Sequence, residues 1–357
     1  MKRFLSACLC ALFLASCSRQ GGSVAAGGRH DWTVPHVVRI ADISDPDRLN
    51  PFLSTMDLVY DLSSLVYSYL IVANAQGQLE GDLATEVPSL ANHGISADGL
   101  TYTYHLHPNV RFHDGVPLTS ADVKFSWEAA INPNNNALHR EGYDQVRSID
   151  TPNATTVVVR LKHRYPPFLT EFFAPLQEGG KGILPRHLLA RYASLNQVPF
   201  NSAPVGSGPF KFVKWDRGRQ IVFVRNDAYF KGRPNIERII FSVIPDDNTL
   251  LNEVRLHHED LVVSPPATLY DRYRELPDVV TDLVKWNAQT YFIMNEHRPG
   301  LNDLAVRRAI SMGIDYDGII AKLEHNVPEH AYDVLPPTSF GYVKNNPYVY
   351  DPSAANA

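Results

Sequence analysis

The chain has 357 residues, 44% of them hydrophobic and 20% charged, which is enough apolar material for a packed core and excludes a disordered protein. That length exceeds one ordinary domain, so two or more lobes are expected. With 33 Lys and Arg against 38 Asp and Glu, the formal net charge of −5 argues against a nucleic-acid binder.

The chain opens with Lys2 and Arg3, an apolar run from Phe4 to Leu14, and the small pair Ala15-Ser16 before Cys17. This reads as a secretory signal over residues 1–16, too short for a spanning helix. Cys8, Cys10 and Cys17 are the only cysteines, so removal of the signal leaves no thiol pair for a disulfide. Residues 18–28 are rich in Gly, Ala and Ser and read as a flexible tether.

Val37–Ile43 is a predicted strand, followed by a turn-rich loop from Asp45-Pro46 to Asn50-Pro51. Leu58, Leu62, Leu65 and Tyr69 recur at helical spacing and predict a helix over Asp57–Leu70. Leu100–His107 alternates apolar and polar residues, the pattern of a half-buried strand. Thr119 with Asp122 three residues on makes a capping-box-like start to a helix carrying Val123, Trp127 and Ala130. Thr155–Leu161 is a strand, and Pro166-Pro167 opens a short helix over Phe168–Phe173. Phe210–Trp215 and Gln220–Arg225 read as a hairpin about Asp216–Arg219. Ile236–Ile244 is a strand, and a helix near Asn248–Leu256 begins at Asp246-Asp247. Val279–Asn295 has strand composition, and Val306, Ala309, Ile310, Gly313 and Ile314 form a helical stripe capped by Asn302 or Asp303. Strands and helices mixed in this order predict an α/β class without internal repeats.

Two enzyme readings are weak. Ser207 sits between Gly206 and Gly208, so the glycines flank it immediately, unlike a Gly-x-Ser-x-Gly nucleophile elbow. His105, His107 and His113 with Asp114 invite a metal site, but the alternation partners Thr101 and Thr103 make a solvated polar face an equal account. His257-His258-Glu259 lacks the His-Glu-x-x-His spacing.

The stretch Leu14-Ala15-Ser16-Cys17 resembles the lipobox of bacterial lipoproteins, which implies a diacylated Cys17 at the mature N-terminus. From about Val37 onward the chain resembles the extracytoplasmic solute-binding proteins of family 5, the peptide, dipeptide and nickel class that feeds ABC importers. Four blocks carry the likeness in order: Asp45–Pro51; Tyr102 through His107–Gly115 to Thr119–Val123; Val205–Phe210 with Asn226 and Tyr229-Phe230; and Asn295, Asp303 and Val306–Ile310 to Ile314-Asp315.

The resemblance implies a bilobal, periplasmic-binding-protein-like α/β fold with mixed sheets. A first lobe is expected over residues 36–70 and 171–265, an extra domain over 71–170, and a second lobe over 266–357. It implies a non-enzymatic component that captures oligopeptides or dipeptides outside the cytoplasmic membrane, with an ABC permease and ATPase as partners, a lipid anchor, no cofactor, and no nucleic acid. Ser54, Thr55, Met56 and Asp57 resemble the ligand-facing wall of the first lobe, and Tyr291 and Asn295 resemble the entry to the second. Nickel or haem carriage, a non-transporting lipoprotein and a metal-dependent hydrolase are the rival readings. Tyr69 and His258 stand where relatives commonly carry Gly. Relatives continue well past the string Tyr350-Asp351-Pro352, so an incomplete second lobe that binds peptide weakly or not at all is expected.

Overall fold

The computed structural model describes residues 30–175, 180–284, 289–337, 342–345 and 348–356. The signal, Cys17 and the tether lie outside them. The chain divides into two compact units, one spanning Val34–Pro265 and the other taking in the chain from Pro266 onward.

In the first unit the strands run in chain order as β1 (Val37–Asp42), β2 (Ile71–Ala73), β3 (Leu79–Gly81), β4 (Thr101–His105), β5 (Val146–Asn153), β6 (Thr156–Leu161), β7 (Phe210–Asp216), β8 (Gln220–Arg225), β9 (Arg238–Val243) and β10 (Leu261–Val262). Helices α1 (Asp57–Val66), α2 (Ser120–Ile131), α3 (Phe168–Glu171), α4 (Arg186–Leu189) and α5 (Asp247–Arg255) are interleaved with them. A five-stranded mixed sheet has the order β10-β1-β9-β8-β7, with β1 parallel to both β9 and β10 and the β7–β8–β9 ladder antiparallel. A three-stranded antiparallel sheet, β4-β6-β5, and the small β2–β3 ribbon complete it.

The elements form where their sequences demand. Tyr102 and Tyr104 of β4 are buried while Thr101, Thr103 and His105 face outward, as alternation requires. The Asp122 carboxylate accepts hydrogen bonds from the Thr119 amide (2.8 Å) and hydroxyl (3.0 Å), starting α2, whose Val123, Trp127 and Ala130 are buried. Asp246 caps α5 by accepting from the Thr249 amide at 2.7 Å. A continuous core, with Phe52, Leu70, Tyr104, Phe172 and Phe223 among its fully buried members, joins the sheets of this unit.

Helix α1 ends at Val66, one turn short of the predicted Leu70. The Gly208 amide donates to the Val66 carbonyl at 2.8 Å, and the next residues bond outside the helix: Leu70 N–H to Phe173 O at 2.8 Å, and Ile183 N–H to Ser68 O at 3.0 Å. Backbone partners outside the helix thus outcompete another helical turn.

The second unit holds α6 (Tyr270–Arg274), α7 (Leu304–Gly313), α8 (Tyr316–Lys322) and α9 (Pro352–Ala355). Aspartates cap the last three: Asp303 accepts from Ala305 N–H (2.8 Å), Asp315 from Gly318 N–H (2.8 Å), and Asp351 from Ser353 N–H (3.0 Å) and Ala354 N–H (2.9 Å). The Asp351 amide donates to the Met312 carbonyl at 2.9 Å, tying α9 to α7. The strand expected within Val279–Asn295 is not formed among the described residues. The run has strand composition, but no neighbouring strand offers its backbone a ladder there, and Val280 and Ile293 stand exposed. Among the described residues no helix is long and apolar enough to cross a membrane.

Candidate functional site

Strands β1, β9 and β10 run parallel, so the segments after Asp42, Val243 and Val262 leave from one carboxyl edge of the sheet. Because β7 lies antiparallel to β8, and β8 to β9, the β7–β8 turn after Asp216 sits at that same edge. In open α/β sheets this edge is where ligands are bound. The loop from Ile43 to Met56, which joins β1 to α1, is the longest backbone excursion there, and it contains the first family block.

The block folds on itself and on distant elements. Trp215 Nε1 donates to Asp45 Oδ1 at 2.9 Å, and the Gly218 amide donates to Asp45 Oδ2 at 3.0 Å. Fully buried Asn50 donates to Asn201 Oδ1 at 2.9 Å and accepts from the Phe52 amide at 3.1 Å. Leu49 N–H donates to Asn201 O at 2.7 Å, and Leu49 O accepts from Tyr67 OH at 3.2 Å.

The four expected wall residues have different fates. Ser54 is buried; its hydroxyl donates to Asp47 Oδ1 at 2.7 Å and accepts from the Met56 amide at 3.1 Å. Its carbonyl accepts from Tyr60 OH at 2.5 Å. Met56 is half-buried, with its sulfur accepting from the Asp47 amide at 3.4 Å. Thr55 and Asp57 are exposed, one just before α1 and one in its first turn. In the other unit, Tyr291 is exposed and donates to Val334 O at 2.8 Å, while Asn295 is exposed and accepts from His297 N–H at 3.0 Å. No strand forms over residues 289–295 to set the two side chains on one face.

Two acids of this edge escaped the sequence reading. Asp42, at the end of β1, is buried and accepts from the Ser44 amide at 2.7 Å; burial raises its pKa, opposed by the Ser44 hydrogen bonds. Asp61 lies one turn beyond Asp57 on α1, and partial desolvation, then the Asp57 and Asp42 charges, raise its pKa. The i, i+4 spacing of Asp57 and Asp61 was the available signal.

The histidines do not converge. His105 is exposed, and His107 packs against Phe230 with ring centroids 5.7 Å apart. His113 bonds the backbone through both ring nitrogens, Nε2 to Gly208 O at 3.0 Å and Nδ1 to Gly206 N–H at 3.3 Å. Among the described residues no group of three or more His, Cys, Asp or Glu could hold a metal ion. The buried Ser207 hydroxyl has no hydrogen-bond partner among them, and His113 spends its ring on the flanking glycines, so no nucleophile–base pair forms.

The profile of the bacterial extracellular solute-binding proteins, family 5 (middle) matches residues 78–357. The oligopeptide-binding protein AppA of Bacillus subtilis (strain 168) is 28% identical over 351 residues, covering 94% of this chain and 60% of AppA. The solved structure of AppA with a nonapeptide superposes with a TM-score of 0.77 at 27% identity, covering 90% of this chain and 62% of that one. NikZ from Campylobacter jejuni, solved with Ni(L-His), superposes with a TM-score of 0.74 at 28% identity, covering 91% and 62%. The chain spans about 60% of the length of AppA. It belongs to the family 5 extracellular solute-binding proteins, with their α/β fold of mixed sheets.

Proposed function

We propose that this chain belongs to the substrate-binding component of an ABC importer and captures oligopeptides or dipeptides outside the cytoplasmic membrane, tethered through a lipidated Cys17. The observation that carries this reading is the likeness, over 90% of the chain, to a protein solved with a nonapeptide. The β1–α1 loop supports it physically. A peptide's amide groups need polar partners on a rigid wall, and the loop sets exposed Thr55 and Asp57 on a backbone fixed by Asp45, Asn50 and Ser54. Thr55 and Asp57 are the ligand-facing side chains in this reading, Ser54 and Met56 shape the wall from behind, and Tyr291 and Asn295 are the candidates of the other unit. The permease and ATPase are its partners, and no step of chemistry is assigned to it.

Native mass spectrometry of the protein with an equimolar library of di- to pentapeptides, and separately with nickel(II)–histidine, tests the reading. Peptide-mass adducts are the expected result. Nickel–histidine adducts without peptide adducts would replace it with binding of a nickel complex such as the Ni(L-His) with which NikZ was solved.

A further inference from the structure

We propose that the tip of the β7–β8 hairpin, through Trp215 and Arg217, is the positioning element that sets the conformation of the wall segment Ser54–Asp57. This deepens the peptide-binding reading and rests on it.

The connection is a relay of short polar contacts between segments some 170 positions apart in the chain. Both carboxylate oxygens of Asp45 are held by the tip, one by the Trp215 indole at 2.9 Å and one by the Gly218 amide at 3.0 Å. The Arg217 guanidinium lies 3.3 Å above the centre of the Trp215 ring, and its Nη1 donates to the carbonyls of Pro46 (3.0 Å) and Asp47 (3.2 Å). A single cation thus draws two successive carbonyls toward itself, which restricts the backbone at residues 46 and 47 and with it the direction of the Asp47 side chain. Asp47 Oδ1 in turn receives the Ser54 hydroxyl at 2.7 Å, and the same hydroxyl accepts the Met56 amide at the start of α1. Each link fixes the next, from Arg217 to the residue that precedes Thr55.

Arg217 is exposed, and the far side of the loop has its own anchor in the buried Asn50–Asn201 pair. Removing the tip contacts should therefore loosen the wall without unfolding the unit. This separates a positioning role from a merely structural one.

The test uses the full chain as R217A, W215F and R217K, the second keeping the ring and losing the indole donor. Hydrogen exchange of the segment 53–59 should rise about tenfold in R217A and W215F, with exchange in α2 unchanged. Their melting temperatures should stay within about 2 °C of the parent. R217K, which keeps a cation over the carbonyls, should restore most of the protection. Titration with tetra-alanine should show affinity falling about fivefold to tenfold in R217A and W215F and recovering in R217K. Unchanged exchange in segment 53–59, or a rise spread evenly over Val34–Pro265, would overturn the proposal. A parent protein that takes no peptide in either assay would instead defeat the peptide reading, and the exchange comparison would still decide whether the hairpin tip holds the wall.

Discussion

His113 donates through Nε2 to the carbonyl of Gly208 across 3.0 Å while its Nδ1 receives the Gly206 amide at 3.3 Å, so one neutral imidazole clamps the turn that ends α1. Burial, partly opposed by the Gly208 bond, lowers the His113 pKa to about 4. The unfolded chain takes up this proton near the ordinary histidine value and the folded chain only near the lower one. The clamp's contribution is therefore complete above about pH 6.5, is lost as pH falls toward about 4, and changes no further below that. Urea unfolding should show stability dropping by up to about 3 kcal/mol over that window. H113Q, which keeps a donor toward Gly208, should flatten this part of the profile at a cost of about 1–2 kcal/mol at neutral pH. A parent-like pH slope in H113Q would contradict the clamp.

The same turn predicts a contrast between neighbours. A Cβ on Gly206 would overlap the Val66 carbonyl oxygen, and one on Gly208 would press on the same peptide group at 2.7–2.8 Å. G206A and G208A should each lose about 2–3 kcal/mol by urea unfolding, through forced separation of the turn from α1. Ser207 lies between them, buried with a hydroxyl that has no partner among the described residues, so S207A should change stability by less than about 0.5 kcal/mol or raise it. Large loss in S207A would show that this hydroxyl has a role.

Asp122 serves two elements at once. Its Oδ2 caps α2 through Thr119, and its Oδ1 accepts from the Arg186 amide at 3.1 Å, at the start of α4. D122A should therefore cost about 2–3 kcal/mol, more than an ordinary cap, while T119A should cost about 1 kcal/mol. Equal losses in the two variants would remove Arg186 from the account.

Lys181 is fully buried, donates to His139 O at 2.6 Å and lies 5.0 Å from the centre of the Tyr143 ring. Burial lowers its pKa to about 7. Below that value both states are protonated and the folded protein carries the full burden of a buried cation. As pH rises from about 7 toward 10.5 the folded state sheds the proton first, so stability should climb. The climb should reach about 1–3 kcal/mol between pH 7 and 9 and be absent in K181M, measured by urea unfolding.

Much of this architecture was legible because local chemistry and global packing agree. β4 alternates cleanly, α2, α5 and α7 begin at the side chains that cap them, and the β7–β8 hairpin falls where the turn residues stand. Strand β5 escaped notice for a physical reason. Register shifts between Val146 and Ser148 and between Asp150 and Asn153 break its period of two, and Pro152 lies inside it. The β2–β3 ribbon was too short for periodicity to register. At the candidate wall the family resemblance singled out four successive residues, Ser54 to Asp57, without separating those that turn inward from those that face out. Ser54 turns inward because Asp47, seven residues earlier, receives its hydroxyl, and Asp47 is itself ordered by Arg217. Such long-range partners leave no mark in local spacing.

In the proposed function the protein delivers peptides to an importer. Uptake of a radiolabelled tripeptide by cells lacking the gene measures this most directly. Tripeptide uptake should fall on deletion and return when the gene is restored, while uptake of the free labelled amino acid stays unchanged. Tripeptide uptake that is the same with and without the gene would contradict it.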